Sequence, residues 1–288
     1  MYIVPGPASQ HIAHDLATQI HQPIAKTTVQ RFADGEAYVH IDEPLKNEDV
    51  IIVQTTYPDP HIIELFLLQD AVREAQAKTI TVVAPYYGYG RQDKKFKDGE
   101  AISARALAKH ISLNADMFLT VDPHKEYLID FFSIPAKSCS AASVIADYLK
   151  KKEIDFVLAP DKGALARVQD ISRLINCEYD YMEKKRIDSH TVHIQPKKLN
   201  VQKKSVAIID DIISTGGTMV QSVTELKKQG AKEISVVCTH GLFIGNAQHK
   251  LLAAGCNNII STDTIETQYS KISVASIIAE TLQIIHVK

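Results

Sequence analysis

The run Val206-Ala207-Ile208-Ile209-Asp210-Asp211-Ile212-Ile213-Ser214-Thr215-Gly216-Gly217-Thr218 joins an apolar segment to two adjacent carboxylates and a small, hydroxyl-rich loop. Few folds accept that order. Val206 to Ile209 reads as a buried strand and Met219 to Gln229 has helical spacing, so the loop falls where the carboxyl edge of a sheet meets the amino end of a helix. At such a junction free backbone N–H groups face outward, and Gly216 and Gly217 let a ligand approach without a Cβ in the way. Ser214, Thr215 and Thr218 add hydroxyl donors. This is the chemistry of anion binding. Asp210 and Asp211 would repel a phosphate, so they serve instead to accept hydrogen bonds from vicinal sugar hydroxyls or to act through a bound cation. Turn chemistry alone explains Gly216 but not the acidic pair before it. The sequence contains no Gly-x-x-x-x-Gly-Lys-Ser/Thr, which excludes a Walker-type phosphate loop.

The rest of the chain repeats the strand-then-helix theme. Short β-branched runs at Val50 to Gln54, Thr79 to Ala84 and Met117 to Val121 alternate with helical patterns at Ile62 to Ala77 and Ala142 to Lys150. The second half continues with Phe156 to Ala159, Leu165 to Ile175, Val206 to Ile209, Val220 to Lys228, Ile234 to Cys238, Ala247 to Ala254 and Ile259 to Ser261. Alternation of this kind predicts an α/β fold with mostly parallel sheets flanked by helices. Val82-Val83-Ala84-Pro85 and Val157-Leu158-Ala159-Pro160 hint at a duplication, and 288 residues suit two domains. The boundary is placed near Ala141, giving 1–141 and 142–288, with no low-complexity linker between them.

Composition narrows the partners. A net charge of −2 without a basic block argues against a polynucleotide, while small phosphate esters need only local cations. Cys139, Cys177, Cys238 and Cys256 show no Cys-x-x-Cys spacing, which disfavours a zinc site or disulfide framework and suits a reducing, cytoplasmic setting. The amino terminus lacks a basic start and a long apolar region, and no apolar stretch is long enough to span a bilayer, so secretion and membrane insertion are not expected.

Other segments carry chemistry of their own. Tyr86 to Glu100 brings Arg91, Lys94, Lys95 and Lys97 into one polar stretch, either a mobile loop that closes over an anion or a solvated surface loop. Ile102-Ser103-Ala104-Arg105 then opens a helix, with Ser103 as its expected N-cap. Arg31-Phe32-Ala33-Asp34-Gly35-Glu36 sets an aromatic face beside acceptors suited to a purine amino group, though taken alone it is a turn between strands. Asp122 and His124 follow an apolar strand, as does Asp161 in the second half, so His124 and Asp161 are candidates to share a divalent cation. The pairs His11/His14 and His190/His193 have no carboxylate framework and read as structural. In a strand over Glu183-Lys184-Lys185-Arg186, Lys184 and Arg186 share a face and Lys185 points away; a solvated basic run is the other reading.

Together these pieces resemble the ribose-phosphate pyrophosphokinase family, also called phosphoribosyl pyrophosphate synthetases, over essentially the whole chain, and the archaeal-type branch more closely than others. The stretch from Asp210 to Thr218 resembles the phosphoribosyl pyrophosphate signature of phosphoribosyltransferase-fold proteins. The resemblance implies two similar phosphoribosyltransferase-like domains, with ATP-side elements and a flexible loop in the first and a ribose-5-phosphate loop in the second. It also implies transfer of the β,γ-diphosphoryl group of ATP to the anomeric hydroxyl of ribose 5-phosphate, with Mg2+, in a homo-oligomer whose ATP site lies near a subunit interface. On the family's motifs, Phe32, Asp34, Gly35 and Glu36 recognise adenine, and Arg91 and Gln92 lie near the ATP phosphates. Asp122, His124 and Asp161 match metal positions, and Lys184 and Arg186 are catalytic cations, Arg186 also facing the sugar phosphate. Asp210, Asp211, Ser214, Thr215, Gly216, Gly217 and Thr218 bind ribose 5-phosphate. Two departures stand out. Ser133 and Lys137 stand where many members carry further acids after the metal motif, so an additional metal or regulatory site there is not carried over, and Ser214 stands where many have Asp, a change compatible with phosphate binding. The chain is also somewhat shorter than those members, and allosteric control by nucleoside diphosphate or phosphate is not carried over. A phosphoribosyltransferase that consumes phosphoribosyl pyrophosphate would share the Asp210 loop but not need the first-half elements. A non-catalytic synthetase-like subunit would not need Lys184, Arg186, His124 and Asp161.

Overall fold

The structure is a computed structural model that describes residues 1–186, 192–195 and 198–286; the side chains of 184–186, 192–195 and 285–286 fall outside the description. The chain divides into two compact units. The first holds Met1–Ser140, Thr264–Glu266 and the segment from Ser273 onward, and the second holds Ala141–Asp263 and Thr267–Ile272.

In chain order the first part contains β1 (Tyr2–Pro5), α1 (Gln10–Ile20), β2 (Thr27–Arg31), β3 (Ala37–Ile41), β4 (Asp49–Val53), α2 (Pro60–Glu74), β5 (Thr79–Ala84), α3 (Ser103–Ile111), β6 (Met117–Val121) and β7 (Ala136–Cys139). The strands β1-β4-β5-β6-β7 form one sheet in that order, every pair parallel. The hairpin β2-β3 stands apart from this sheet as an antiparallel pair and packs against α2. The central strands are buried on both faces, as parallel strands under helices must be, and their Val and Ile side chains make the core with Leu65, Leu68 and Phe118.

The second part contains α4 (Ala142–Lys150), β8 (Phe156–Ala159), α5 (Leu165–Ile175), β9 (Glu178–Tyr181), β10 (Glu183–Arg186), β11 (Val192–Gln195), β12 (Ser205–Ile213), α6 (Gly217–Lys228), β13 (Glu233–Gly241), α7 (Ala247–Ala253), β14 (Asn258–Thr262), β15 (Ser270–Ile272) and α8 (Ala275–His286). Here the parallel sheet runs β15-β14-β13-β12-β8-β9, and β10-β11 is a separate antiparallel pair. The last helix, α8, packs on α1 in the first unit, whereas a division into 1–141 and 142–288 assigns it to the second. No helix among the described residues is long and apolar enough to cross a membrane.

Several boundaries differ from the sequence reading for local reasons. The strand expected over Val206 to Ile209 continues to Ile213, because its register with β13 carries on to Ile213↔Gly241. Asp210 and Asp211 therefore lie within the strand rather than after it. The helix expected over Ile62 to Ala77 starts two residues earlier, since Pro60 supplies a preset φ at a position needing no donor. It ends at Glu74, where Gln76 turns left-handed and the Ala77 N–H donates to the Val72 carbonyl. Ser103 is the first residue of α3 and caps nothing; Ile102 occupies the cap. Neither α1 nor α8 is among the elements that the alternation predicts.

Phe118 on β6 is fully buried and stacks on Phe132, with ring centroids 3.9 Å apart and planes 17° from parallel. Truncation removes a large buried ring that the rigid sheet cannot follow. Phe118→Ala is expected to cost about 3–5 kcal/mol in urea unfolding followed by circular dichroism, and a loss below about 1 kcal/mol would contradict this packing.

Candidate active site

In the second unit β12 outruns its neighbour. It pairs with β8 only through Ile208↔Leu158, while its pairing with β13 extends past the acids. Beyond the end of β8 the vacated side is taken by Asp161, whose carboxylate accepts the Gly163 N–H at 2.8 Å and caps a short turn leading into α5. A Cβ on Gly163 would come within 2.9 Å of that carboxylate, so glycine is needed for the turn to close. Asp210 accepts the Asp211 N–H at 2.9 Å, and Asp211, buried, accepts the Ile212 N–H at 2.8 Å. Burial first, then the negative charge of Asp211 and a smaller one from Asp161, hold the Asp210 carboxyl well above the ordinary carboxylate range.

Three residues then join strand to helix. Gly216 takes a φ of 74° at the N-cap of α6, and no side chain caps the helix there. The left-handed backbone is open to glycine at little cost, and even an ideal Cβ at Gly216 would lie 3.3 Å from Ala247. Gly217 meets nothing within 4 Å and is exposed with Thr215, so the amino end of α6 opens to solvent with its dipole unmasked. Ser214 and Thr218 flank it, half-buried. Asp161, Asp210, Asp211 and Ser214 to Thr218 thus gather at one sheet edge. Lys184 and Arg186 lie two residues apart on β10, but their side chains, like His190, fall outside the described residues.

In the first unit Asp122 follows β6, buried and with a φ of 37°, its N–H donating to the Cys139 carbonyl at 2.9 Å. His124 follows. A Cβ at Gly90 would sit 3.5 Å from the His124 Cβ and 3.1 Å from Leu128, so the backbone just before Arg91 passes close over the Asp122/His124 turn. Arg91 is exposed. Gln92 is not: its amide donates to the Lys94 and Ala101 carbonyls at 3.3 and 3.4 Å, and its own carbonyl accepts the Ala104 N–H, so in this conformation it shapes the loop. Tyr127 hydrogen-bonds Asp93 from the far side.

The hairpin tip is closed by Phe32 N–H to the Glu36 carbonyl and Gly35 N–H to the Phe32 carbonyl, both 2.9 Å, with Asp34 accepting the Glu36 N–H at 3.1 Å. Phe32 is left 56% exposed, and its ring meets the edge of Tyr38 on its own hairpin. Beside it runs a groove of 590 Å³, lined among others by Arg31, Gly35, Glu36, Asp59 and Ile63. Tyr89 reaches Asp59 with a 2.9 Å hydrogen bond, which ties the groove to the strand end that carries Arg91.

Residues 1–113 match the family described as the N-terminal domain of ribose phosphate pyrophosphokinase, and residues 134–271 match the phosphoribosyl transferase domain. The chain is 40% identical over 285 residues to a ribose-phosphate pyrophosphokinase of Methanosarcina acetivorans, covering 98% of this chain and 99% of that one. It belongs to the ribose-phosphate pyrophosphokinase family. A second family member, from Methanothermobacter thermautotrophicus, is 37% identical over 96% of this chain and 98% of its own. Among solved structures, phosphoribosylpyrophosphate synthetase from Mycobacterium smegmatis superposes with a TM-score of 0.84 at 26% identity, covering 99% of this chain and 98% of that one. The paired N-terminal and phosphoribosyltransferase domains of this enzyme family account for the two parallel sheets seen here.

Beyond the family motifs, the structure adds residues that the sequence reading passes over. Glu64, Asp59 and Gly90 all touch the elements just described. Glu64 left one trace: it falls on the buried stripe Glu64, Leu65, Leu68, Gln69, Val72 of α2, an acid at a core position.

The raised Asp210 carboxyl has a stability consequence. A folded value above the unfolded one means that ionising Asp210 costs the folded state; the cost is absent below the ordinary carboxylate range and grows as pH rises through it. Asn keeps the acceptor for the Asp211 N–H without the charge. Without ligands and in the presence of a chelator, Asp210→Asn is expected to melt above the wild type at neutral pH, with the gap closing toward pH ~4. A lower melting temperature at neutral pH would contradict the strained carboxylate.

Proposed function

We propose that the chain transfers the β,γ-diphosphoryl group of ATP to the anomeric hydroxyl of ribose 5-phosphate, giving phosphoribosyl pyrophosphate and AMP. The observation that carries this is the uncapped amino end of α6 at Gly216, directly after Asp210 and Asp211, in a chain that also bears an exposed Phe32-Ala33-Asp34-Gly35-Glu36 tip. One grips a sugar phosphate and the other offers a stacking face and acceptors for a purine. The family relatives' names agree with this pairing.

The anomeric hydroxyl gives its proton to solvent as its oxygen attacks the β-phosphorus, the bond from that phosphorus to the α,β-bridging oxygen breaks, and AMP leaves with that oxygen. Such a transfer needs alignment and charge neutralisation more than a covalent intermediate. The α6 amides and the hydroxyls of Ser214, Thr215 and Thr218 hold the 5-phosphate, and Asp210 and Asp211 accept from the ribose hydroxyls. Phe32 stacks on adenine while Asp34 and Glu36 accept from its amino group. Arg91, Lys184 and Arg186 meet the charge on the transferring group, with Gln92 beside the phosphates once its loop bonds are released. Each unit also carries donors that suit a hard divalent cation: Asp122 and His124 in the first would hold Mg2+, and in the second Asp161 would do so beside Asp210, where a nearby cation would offset the mutual repulsion of the carboxylates. When bound, the ion neutralises phosphate charge. The exposed Phe32 and Tyr38 rings suit burial at an interface in a homo-oligomer, and the four free cysteines suit a cytoplasmic setting. No nucleic-acid or membrane partner is proposed.

Purified protein is expected to form AMP and phosphoribosyl pyrophosphate only when ATP, ribose 5-phosphate and a divalent cation are all present; ADP as the nucleotide product would point to an ordinary γ-phosphoryl kinase instead. Lys184→Ala and Arg186→Ala should each lower kcat by on the order of 10²–10³, because strand alternation on β10 sets them on one face, while Lys185→Ala stays mild. Equal losses at all three positions would show the facing argument to be wrong. Asp210→Asn and Asp211→Asn should raise KM for ribose 5-phosphate and Phe32→Ala that for ATP, and the reverse pattern in steady-state kinetics would overturn the two half-site assignments.

A further inference from the structure

The β2-β3 hairpin hydrogen-bonds to no strand of the main sheet, so something else must fix the orientation of its tip. Part of the hold is apolar, since Val29, Val39 and Ile41 pack against the first unit's core. That stripe sets the position of the hairpin body but does not reach residues 32–36. The tip is held by Arg31. One guanidinium nitrogen, Nη1, donates to the Gly35 carbonyl at 2.8 Å, and the other, Nη2, pairs with the Glu64 carboxylate on α2. Through a single planar group, the turn that carries Phe32 and Glu36 is thus bound to a helix of the domain body.

Glu64 is well placed to be that anchor. Its side chain is only 5% exposed against 42% for Arg31, so the fixed partner is the acid and the mobile one the base. The second carboxylate oxygen takes His61 Nδ1–H at 2.5 Å and the Gln54 amide at 3.5 Å. Gln54 in turn donates to the His61 carbonyl at 3.2 Å and accepts the Ala8 N–H at 3.0 Å, and it is completely buried at the carboxyl end of β4. A Cβ at Gly6 would come within 2.2 Å of the Gln54 side chain, so the β1 loop closes over the amide and locks it. A buried acid in an apolar helix face is costly unless it is paired and hydrogen-bonded, and all three donors here are committed to one rotamer. Such a network serves orientation: a carboxylate with one oxygen pinned from behind presents the other at a fixed point, and a forked guanidinium transmits that point to the Gly35 carbonyl.

We propose that Glu64 is a positioning residue for nucleotide binding, acting through Arg31 to hold Phe32 and Glu36 in the orientation that receives adenine. It touches no substrate itself. The inference rests on the reading of the hairpin tip as the ATP-side element.

The chain contains no tryptophan, so Phe32→Trp places a lone indole reporter at the tip. Glu64→Gln and Arg31→Ala are introduced in that background and in the native one. Three readouts are taken: steady-state KM for each substrate, fluorescence anisotropy of Trp at position 32, and the thermal melting temperature. With Glu64→Gln, KM for ATP is expected to rise about tenfold with kcat and the KM for ribose 5-phosphate within about twofold of the parent, while anisotropy falls in the ligand-free protein. Arg31→Ala should reproduce both effects, and the double variant should add little to either single, as expected for one pathway. Unchanged anisotropy overturns the proposal, as does a proportional rise in both KM values tracking a lowered melting temperature, which is the mark of a purely structural acid. If the native protein, with Phe32 in place, fails to turn over ATP with ribose 5-phosphate, the proposed function fails, and the anisotropy comparison still decides whether Glu64 fixes the tip.

Discussion

A parallel sheet covered by helices on both faces has nowhere to display chemistry except along its edges. Both units are built this way, with central strands that are Val- and Ile-rich and largely buried. Four groups of interest lie at or just beyond a carboxyl edge: Asp122 after β6, Gly88 to Gln92 after β5, Asp161 after β8, and Asp210 to Gly217 at the end of β12, while the β2-β3 tip and β10 stand on hairpins outside the two sheets. Position follows from topology, because all strands of a parallel sheet finish on the same side, and a crossover helix begins there with its amides exposed. The core fixes where the loops start, and the loops supply the function.

The extra length of β12 gives this edge its character. A strand ending at Ile209 would leave Asp210 and Asp211 in a flexible loop, well solvated and ordinary. Ladder bonds to β13 carry the strand past them, so Asp210, half-buried, and Asp211, buried, are held beside a third carboxylate, Asp161. That arrangement is unfavourable in the free protein, and the sugar hydroxyls or cation proposed to bind there would offset it, the pattern of a site where binding chemistry takes precedence over stability. Glu64 in the first unit is the contrasting case: an equally unusual buried acid, but with its donors supplied by the protein.

Much of this was legible in the sequence because it rests on local signals. Strands β5, β6 and β8 and helices α4 and α5 have the limits that periodicity assigns, since each is a short apolar run or stripe bounded by turn residues. The Gly216 junction was legible because few other sequences bring two acids and two glycines together where a strand passes into a helix. What escaped was non-local. Nothing near Ile209 says that β13 continues alongside, and nothing near Ser103 says that Ile102 caps the helix instead. The partnership of Arg31 with Glu64 spans thirty-three positions, and the return of α8 to α1 joins the two ends of the chain. Periodicity carries no information about either.

We infer that the carboxyl edge of the second sheet takes the sugar phosphate and the first unit takes the nucleotide. Hydrogen–deuterium exchange of the full chain, with each ligand added separately, tests it most directly. Ribose 5-phosphate should slow exchange at residues 214–219 and leave 32–36 unchanged, and a non-hydrolysable ATP analogue with Mg2+ should slow exchange at 32–36 and 88–93. Protection of the hairpin by ribose 5-phosphate, or no protection at 214–219 under saturating sugar phosphate, would contradict the account.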